Sequence, residues 1–449
     1  MRAEPLGSHS AAGVFRLEGL EPDRLQTFEF EPEDEGRAGP FAFTTLASQP
    51  APGAIALLSC HSWRVLRADP SASEQVWGDL YTQITPRRIQ AVLHAGDQVY
   101  ADGIWDAIST AHLARNAGAA LPRRKTDEWC SANRSRWLEL YRNLYRDSWA
   151  PGTALAQVLA SVSNLMMWDD HDIHDGYGSR ITDFDLPYTR IYEVARQTYL
   201  EYQHALNPMT DQAGKALPWK LQWPGIEFFA LDLRSERRYH SNPTRILGEA
   251  QWRAFHRWAE ARRPHDPTDP NSFPPVSFVV ASTPPLLFGK TDQPIYVLVP
   301  DLVDDLRDQW IHGANVRELE RFLSVCEILN REKRTKVIVL AGDIHVHHLV
   351  RCTRRSDGSS VFTQVTSSPI GNRPVSGLLK NVIYDHEDLK GPAHPGSPLD
   401  GRIQGDTLLA RMGYAIVSWS WAADLTPDLS VSWRVLEGDE MKEYGPFEL

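Results

Sequence analysis

The chain has 449 residues, 42% of them hydrophobic and 23% charged, with a net charge of -11. An apolar share of that size, spread along the whole chain, excludes disordered, collagen-like and coiled-coil classes. No run approaches the ~18 apolar residues of a membrane helix, and the acidic balance argues against nucleic acid or anionic lipid as a partner.

Met1–Gly13 contains Arg2, Glu4 and His9 and lacks the apolar stretch of an export signal. The cysteines Cys60, Cys130, Cys326 and Cys352 include no CxxC pair and no disulfide framework, so a reducing, cytoplasmic location is expected. Alternation predicts short strands at Val14–Leu17, Leu25–Phe30 and Phe41–Thr45, separated by turn residues. So few strands cannot bury a core. Residues 1–50 are therefore expected to form a partial β module that leans on one domain spanning 51–449.

From Ile55 onward strands alternate with helices, the pattern of β-α units. Buried strands are predicted at Ile55–Leu58, Ala91–His94, Leu165–Trp168, Ile226–Leu231, Val276–Ala281 and Lys336–Ala341. Helical spacing links Trp137, Leu140, Tyr141, Leu144 and Tyr145, then Tyr192, Ala195, Tyr199 and Tyr202, then Trp252, Phe255 and Ala259. These aromatic stripes read as core. The proline-rich stretch Arg263–Pro275 predicts a surface loop, and Tyr414–Trp421 with Leu429–Leu436 predicts a closing hairpin.

The chemistry lies at the ends of the buried strands. One ends in Ser59-Cys60-His61, a second in Gly96-Asp97-Gln98-Val99-Tyr100-Ala101-Asp102. A third ends in Trp168-Asp169-Asp170-His171-Asp172, and a fourth in Gly342-Asp343-Ile344-His345-Val346-His347-His348. Each has a plain alternative: a Gly-Asp turn, a small buried thiol, a solvated acidic loop, or surface histidines. Ligands in α/β sheets collect at the carboxyl ends of strands, so the four endings together converge on one edge. Carboxylates at that density repel one another unless a cation compensates them, which points to a metal site.

Asp, His, Tyr and Cys donors suit one hard or borderline ion of high charge and a second ion sharing a carboxylate. Hydrolytic pairs lie roughly 3.5–4 Å apart with an Asp bridge, a role that Asp97 fits. Lowering the pKa of bound water from about 15.7 to about 7 corresponds to roughly 12 kcal/mol. His171 is placed either to stabilise transition-state charge and protonate the leaving oxygen or to act as a supporting hydrogen-bond donor. Two roles are open to Arg234, a bidentate phosphate clamp or a salt bridge with Asp232 or a neighbouring acid. Asp172 and Asp175 are open between metal contact and capping of their own loop. A thiol hydrolase built on Cys60 and His61 is disfavoured, because adjacent strand residues face opposite ways.

These blocks resemble the PhoD-like alkaline phosphatase branch of the calcineurin-like metallophosphoesterases. Supporting blocks are Leu231-Asp232-x-Arg234-Ser235-x-Arg237 and Leu247-Gly248-x-x-Gln251-Trp252. Leu20-Glu21-Pro22 and Phe41-x-Phe43-Thr44-Thr45 are similar to the end of that family's fibronectin-III-like N-terminal module, here cut short. The resemblance implies a four-layer α/β/β/α sandwich. It implies that Cys60, Asp97 and Tyr100 help hold a ferric ion, and that Asp170, Asp343 and His345 are ligands to the set of ions. Calcium or another divalent metal accompanies the iron. The implied activity is hydrolysis of small phosphoesters, mono- or diesters, by in-line attack of a metal-bound hydroxide or oxide. The alternative is a catalytically silent protein that keeps the fold and binds metal or phosphate. Secreted members carry an export signal, so an intracellular relative or a start further upstream is expected. Oligomeric state leaves no signal.

Overall fold

The computed structural model describes residues 4–5, 11–12, 17–31, 38–62, 70–115, 122–208, 214–269, 271–287, 307–375 and 390–449. Glu4–Pro5 (β1) pairs with Ala11–Ala12 (β2), and Leu25–Phe30 (β3) pairs antiparallel with Ala38–Thr44 (β4). Each pair is a two-stranded sheet separate from the main sheets. The expected strand at Val14–Leu17 falls almost wholly outside the described residues. Leu46, just past β4, packs on the core between the main sheets, and the indoles of Trp419 and Trp421 both donate to the Ala51 carbonyl.

Next come Gly53–Leu58 (β5), Ile89–Ala95 (β6), Ser163–Met167 (β7), Trp219–Trp223 (β8), Ile226–Ala230 (β9), Val276–Ala281 (β10) and Lys336–Ala341 (β11). The remaining strands are His348–Arg354 (β12), Ser360–Thr366 (β13), Lys390–Pro392 (β14), Leu399–Ile403 (β15), Gly413–Trp421 (β16), Pro427–Glu437 (β17) and Glu440–Glu448 (β18). One sheet runs β18-β17-β16-β5-β6-β7, and the other runs β14-β15-β12-β13-β11-β10-β9-β8. In the first, β5, β6 and β7 are parallel; in the second, β9, β10, β11 and β13 are.

Parallel strands covered on both faces need apolar side chains at every position, so these segments read as unbroken runs. Phe278, Val280, Ile338 and Leu340 point inward against Ile55, Leu57 and Leu93 of the other sheet. Their neighbours Val279, Ala281, Val337 and Val339 face outward onto Trp252, Phe255 and Phe322 of helices 249–260 and 316–327. On the far side, Ala54, Ala56 and Val92 pack against Trp77 and Leu80 of helix 70–83 and Leu155 of helix 154–161. The architecture is thus helix, sheet, sheet, helix. The expected aromatic stripes belong to helices 123–148, 188–202 and 249–260, and those of the first two pack together beneath Trp168, Ile173 and Tyr177, except Leu140, which is exposed.

Several strands differ from expectation: β8, β14 and β15 are not among the predicted strands, and two further differences have a physical reason. The closing hairpin is a three-stranded meander, because β18 adds to the open edge of β17. β12 and β13 leave no apolar run in the sequence, since Arg351, Thr363 and Gln364 interrupt it. Gln364 is tolerated in the interior because its amide donates to the Leu286 carbonyl at 2.8 Å and accepts from the Leu286 N–H at 2.9 Å. Among the described residues no helix is long and apolar enough to cross a membrane.

His347, just before β12, and His348, which opens it, are interior groups, the second a strand residue. Burial pushes His347 down to about 4, and burial with His347 alongside pushes His348 down to about 3. Both rings are therefore neutral in the fold, whereas the unfolded chain takes up protons near pH 6.5. Stability is fully present above that pH and falls as pH drops toward 4, by about 1.4 kcal/mol per pH unit for each ring. Urea unfolding of chelator-treated wild type and His348→Asn at pH 7.5, 6 and 5 should show the wild type losing stability relative to the variant as pH falls, since the acids of the cluster contribute alike to both. A difference that does not change with pH would mean that the folded protein protonates the ring.

Candidate metal centre

The parallel strands β5, β6 and β11 each end in a non-glycine residue with left-handed backbone. Cys60 has φ 59°, Asp97 58° and Asp343 67°, and His345 follows at 53°. Such conformations are uncommon for residues with a side chain and are held only where the surroundings over-determine them. Here they are. The Asp97 N–H donates to Asp172 Oδ2 at 3.1 Å, the Asp343 N–H to Ser59 Oγ at 3.1 Å, and the His345 N–H to Ser368 Oγ at 3.2 Å. The glycine before each aspartate is required by close approach. A Cβ on Gly96 would lie 2.7 Å from the Asp169 Cβ, and one on Gly342 would lie 2.5 Å from both the Ala95 carbonyl oxygen and the Ser59 side chain. The carboxyl edges of the two sheets meet at these glycines.

Around that seam the expected donors come together. Cys60 Sγ lies 3.4 Å from Asp97 Oδ2, and the Tyr100 hydroxyl lies 3.5 Å from the same oxygen and 3.4 Å from His345 Nε2. Asp97, Asp170 and His171 each place a ligand atom within 4.8 Å of the others, as do Asp169, Asp170 and Asp343. All six predicted ligands and His171 therefore share one locus. Asp97 Oδ1 is buried there with no hydrogen-bond partner, although buried carboxylate oxygens are ordinarily satisfied.

Burial pushes the Asp97 carboxyl well up, and the facing carboxylates of Asp170, Asp169 and Asp343 push it further against the opposing pull of His171. Burial, then Asp97 and Asp343, does the same to the Cys60 thiol, and burial with Cys60 and Asp97 to the Tyr100 phenol. Without a cation the cluster holds protons; a cation would take their place. Burial opposes charge on His171, but Asp170, Asp97 and Asp102 together hold its pKa well above the ordinary value. Asp102 Oδ2 lies 3.0 Å from His171 Nδ1, and the ring stacks on Tyr100 at 4.1 Å, with its side chain about a quarter exposed (24%). His171 is thus the cationic group of the cluster that reaches its open side.

Arg234 lies in ion pairs, with acids other than the expected Asp232. Its guanidinium is 1% exposed and spent on carboxylates: Nε on Asp169, Nη1 on Asp308 at 2.5 Å and Nη2 on Asp170 at 3.3 Å. Its partners lie far along the chain, whereas Asp232 receives only its backbone N–H at 3.0 Å. A group so enclosed cannot clamp a phosphate without leaving three acids unpaired. Asp172 caps the loop, accepting from the backbone of Asp97 and Asp169 and from Gln203 at 2.8 Å. Asp175 stands at the rim, bonded to Arg180 at 3.2 Å. His61 turns away and accepts from the Trp77 indole at 3.2 Å, which leaves Cys60 without an imidazole base on that side.

Sequence reasoning named Asp169 and Asp102 in its blocks without giving either a role. Asp308 carried no signal. Its partners Arg234 and Ser179 are distant in sequence and its own flanks form no motif.

A family model described as PhoD-like phosphatase matches residues 55–390, which include every candidate residue above. The uncharacterized protein YGR266W of Saccharomyces cerevisiae is 22% identical over 423 residues, covering 74% of this chain. The chain spans 59% of that yeast relative. The solved structure of PhoD superposes with a TM-score of 0.62 at 16% identity, covering 95% of this chain and 75% of that one, a likeness of fold.

Proposed function

The chain belongs to the PhoD-like phosphatase family, and we propose that it is a metal-dependent hydrolase of small phosphoesters, mono- or diesters. The observation that carries this reading is the unpartnered Asp97 Oδ1, buried among two further acids, a thiol, a phenol and an imidazole at the seam of the sheets. That donor set fits the ions the resemblance implies. Cys60 and Tyr100, with Asp97 and His345 beside them, would hold a ferric ion, since thiolate and phenolate suit a cation of high charge. Asp97, Asp170 and Asp343, with Asp169 nearby, would hold calcium or another divalent ion, since hard cations take carboxylate oxygens. When bound, these ions supply Lewis-acid polarisation of the phosphoryl group and a nucleophile derived from water at neutral pH.

The chain's own groups supply the rest. His171, kept cationic and oriented by Asp102, is placed to donate a hydrogen bond to phosphoryl oxygen and to pass a proton to the leaving oxygen. Arg234 orients Asp169 and Asp170. The loop cap from Asp172 fixes the backbone of both Asp97 and Asp169. We further propose a cytoplasmic location, in keeping with four free, buried cysteines.

Protein purified without chelator should contain iron and a second, divalent metal and should hydrolyse aryl phosphate mono- or diesters between pH 6 and 10. Chelation should remove the activity and metal should restore it. No stoichiometric metal and no turnover across that range would sink the proposal, and tight phosphate binding without turnover would replace it with the silent binding protein.

A further inference from the structure

Asp308 lies in the helical residues 307–308, ahead of helix 316–327, and nothing in its local sequence marks it. Its carboxylate is 3% exposed and touches three side chains. Oδ2 accepts from Arg234 Nη1 at 2.5 Å, Oδ1 lies 3.0 Å from Arg237 Nε, and Oδ1 also accepts from the Ser179 hydroxyl. The segment that carries it is itself fixed. The Asn315 amide donates to the carbonyls of Arg307 at 2.9 Å and Gln309 at 2.8 Å, and Trp310 is fully buried beneath it.

The consequence falls on Arg234. A guanidinium beside a carboxylate prefers a two-pronged pair, and Arg234 has two candidates in Asp169 and Asp170. With Nη1 tied back to Asp308 and the Tyr177 carbonyl, the end-on fork is removed, and the remaining edge is split, Nε on Asp169 and Nη2 on Asp170 at a loose 3.3 Å. Asp170 Oδ2 meanwhile accepts the Gly176 N–H at 2.7 Å, so its Oδ1 is held lightly and stays directed at the cluster. Arg237 backs the arrangement. It is 2% exposed, its Nη2 donates to the Arg307 carbonyl at 2.9 Å, its Nη1 has no hydrogen-bond partner, and its stem packs against Gly178.

We infer that Asp308 is a positioning residue: it restrains Arg234 from closing on Asp170 and so keeps the Asp169–Asp170 pair available to a cation. The inference rests on the metal-dependent reading above. Partners that orient metal ligands from behind typically change metal affinity by about 10–100-fold when removed. Asp308→Asn keeps the shape and loses the charge. Resistance of the bound metal to chelator should fall about tenfold. The rise in unfolding temperature from metal-free to metal-loaded protein should shrink by more than the metal-free midpoint itself drops. Turnover number should fall more than KM rises, and Asp308→Glu should recover part of each loss.

A merely structural residue would lower both midpoints alike and leave the metal-induced rise intact, and that result would overturn the inference. Should Asp308→Asn fail to fold, Ser179→Ala removes one hydrogen bond to the same carboxylate. A measurable loss of chelator resistance there supports the restraint, and wild-type resistance overturns it. Wild-type protein that takes up no metal would overturn this inference and the proposed function together, whereas wild-type behaviour in Asp308→Asn would overturn the inference alone.

Discussion

Asp97→Asn is expected to abolish phosphoester hydrolysis, lowering kcat/KM by roughly 10³-fold or more, while leaving the metal-free fold intact or slightly more stable. The substitution is nearly isosteric. Asparagine tolerates the left-handed backbone that Asp97 adopts at φ 58°, so the turn after β6 should survive. What disappears is the carboxylate within reach of Cys60, Tyr100, Asp170 and His171 at once. In the metal-free protein that carboxylate is an energetic burden, because burial and three facing acids push it toward protonation. Removing its charge relieves that repulsion, so the unfolding midpoint of the metal-free variant should match or exceed that of the wild type. Metal content should fall by at least one ion. Elemental analysis, turnover of an aryl phosphate and unfolding of metal-free protein together test this. Near-full activity in the variant would refute the central place given to Asp97.

Cys60→Ser and Tyr100→Phe should each alter the visible spectrum and the iron content of protein purified without chelator. A thiolate or a phenolate bound to a ferric ion is a soft or electron-rich donor that absorbs visible light on charge transfer, and neither serine nor phenylalanine replaces it. The two residues reach the same carboxylate oxygen from different strands' ends, Cys60 at 3.4 Å and Tyr100 at 3.5 Å. Both are pushed toward the neutral form by burial and by each other's surroundings, so only a cation of high charge would ionise them at neutral pH. Tyr100→Phe is the cleaner change, since the ring still stacks on His171 and only the hydroxyl is lost. Removal of the band by Tyr100→Phe, with reduced iron in both variants, is the expected outcome. An unchanged spectrum in both would remove iron from this reading, and zinc or manganese alone would keep the hydrolase and discard the thiol–phenol iron site.

How much of this was readable in advance follows from where the information sits. Runs such as Val276–Ala281 and Lys336–Ala341 announce strands buried on both faces, because a parallel strand between two apolar layers has no polar side to show. The Gly-Asp pairs announce tight turns at strand ends, and the space around Gly96 and Gly342 explains why glycine stands there. Residue types with metal-ligand chemistry, each closing an apolar run, pointed to a metal site, and the family resemblance then implied which six residues would be its donors. β12 and β13 were hidden because Gln364 and Arg351 break the pattern, and only the backbone of Leu286 makes Gln364 a tolerable interior residue.

The sequence by itself thus determined the doubly buried parallel strands, the turns that follow them and the residue types gathered there, since all three are local properties of a few consecutive residues. Only the tertiary structure decided how the acids divide their work. Within Asp169-Asp170-His171-Asp172, two carboxylates share Arg234 and face the cluster, and the third turns back to cap the turn that holds Asp97. The pairing of Tyr100 with His345 spans 245 residues, and that of Arg234 with Asp308 spans 74. Periodicity tells which face a side chain occupies. Which distant side chain it meets there depends on how the two sheets close against each other, and that is set by the packing of the whole core.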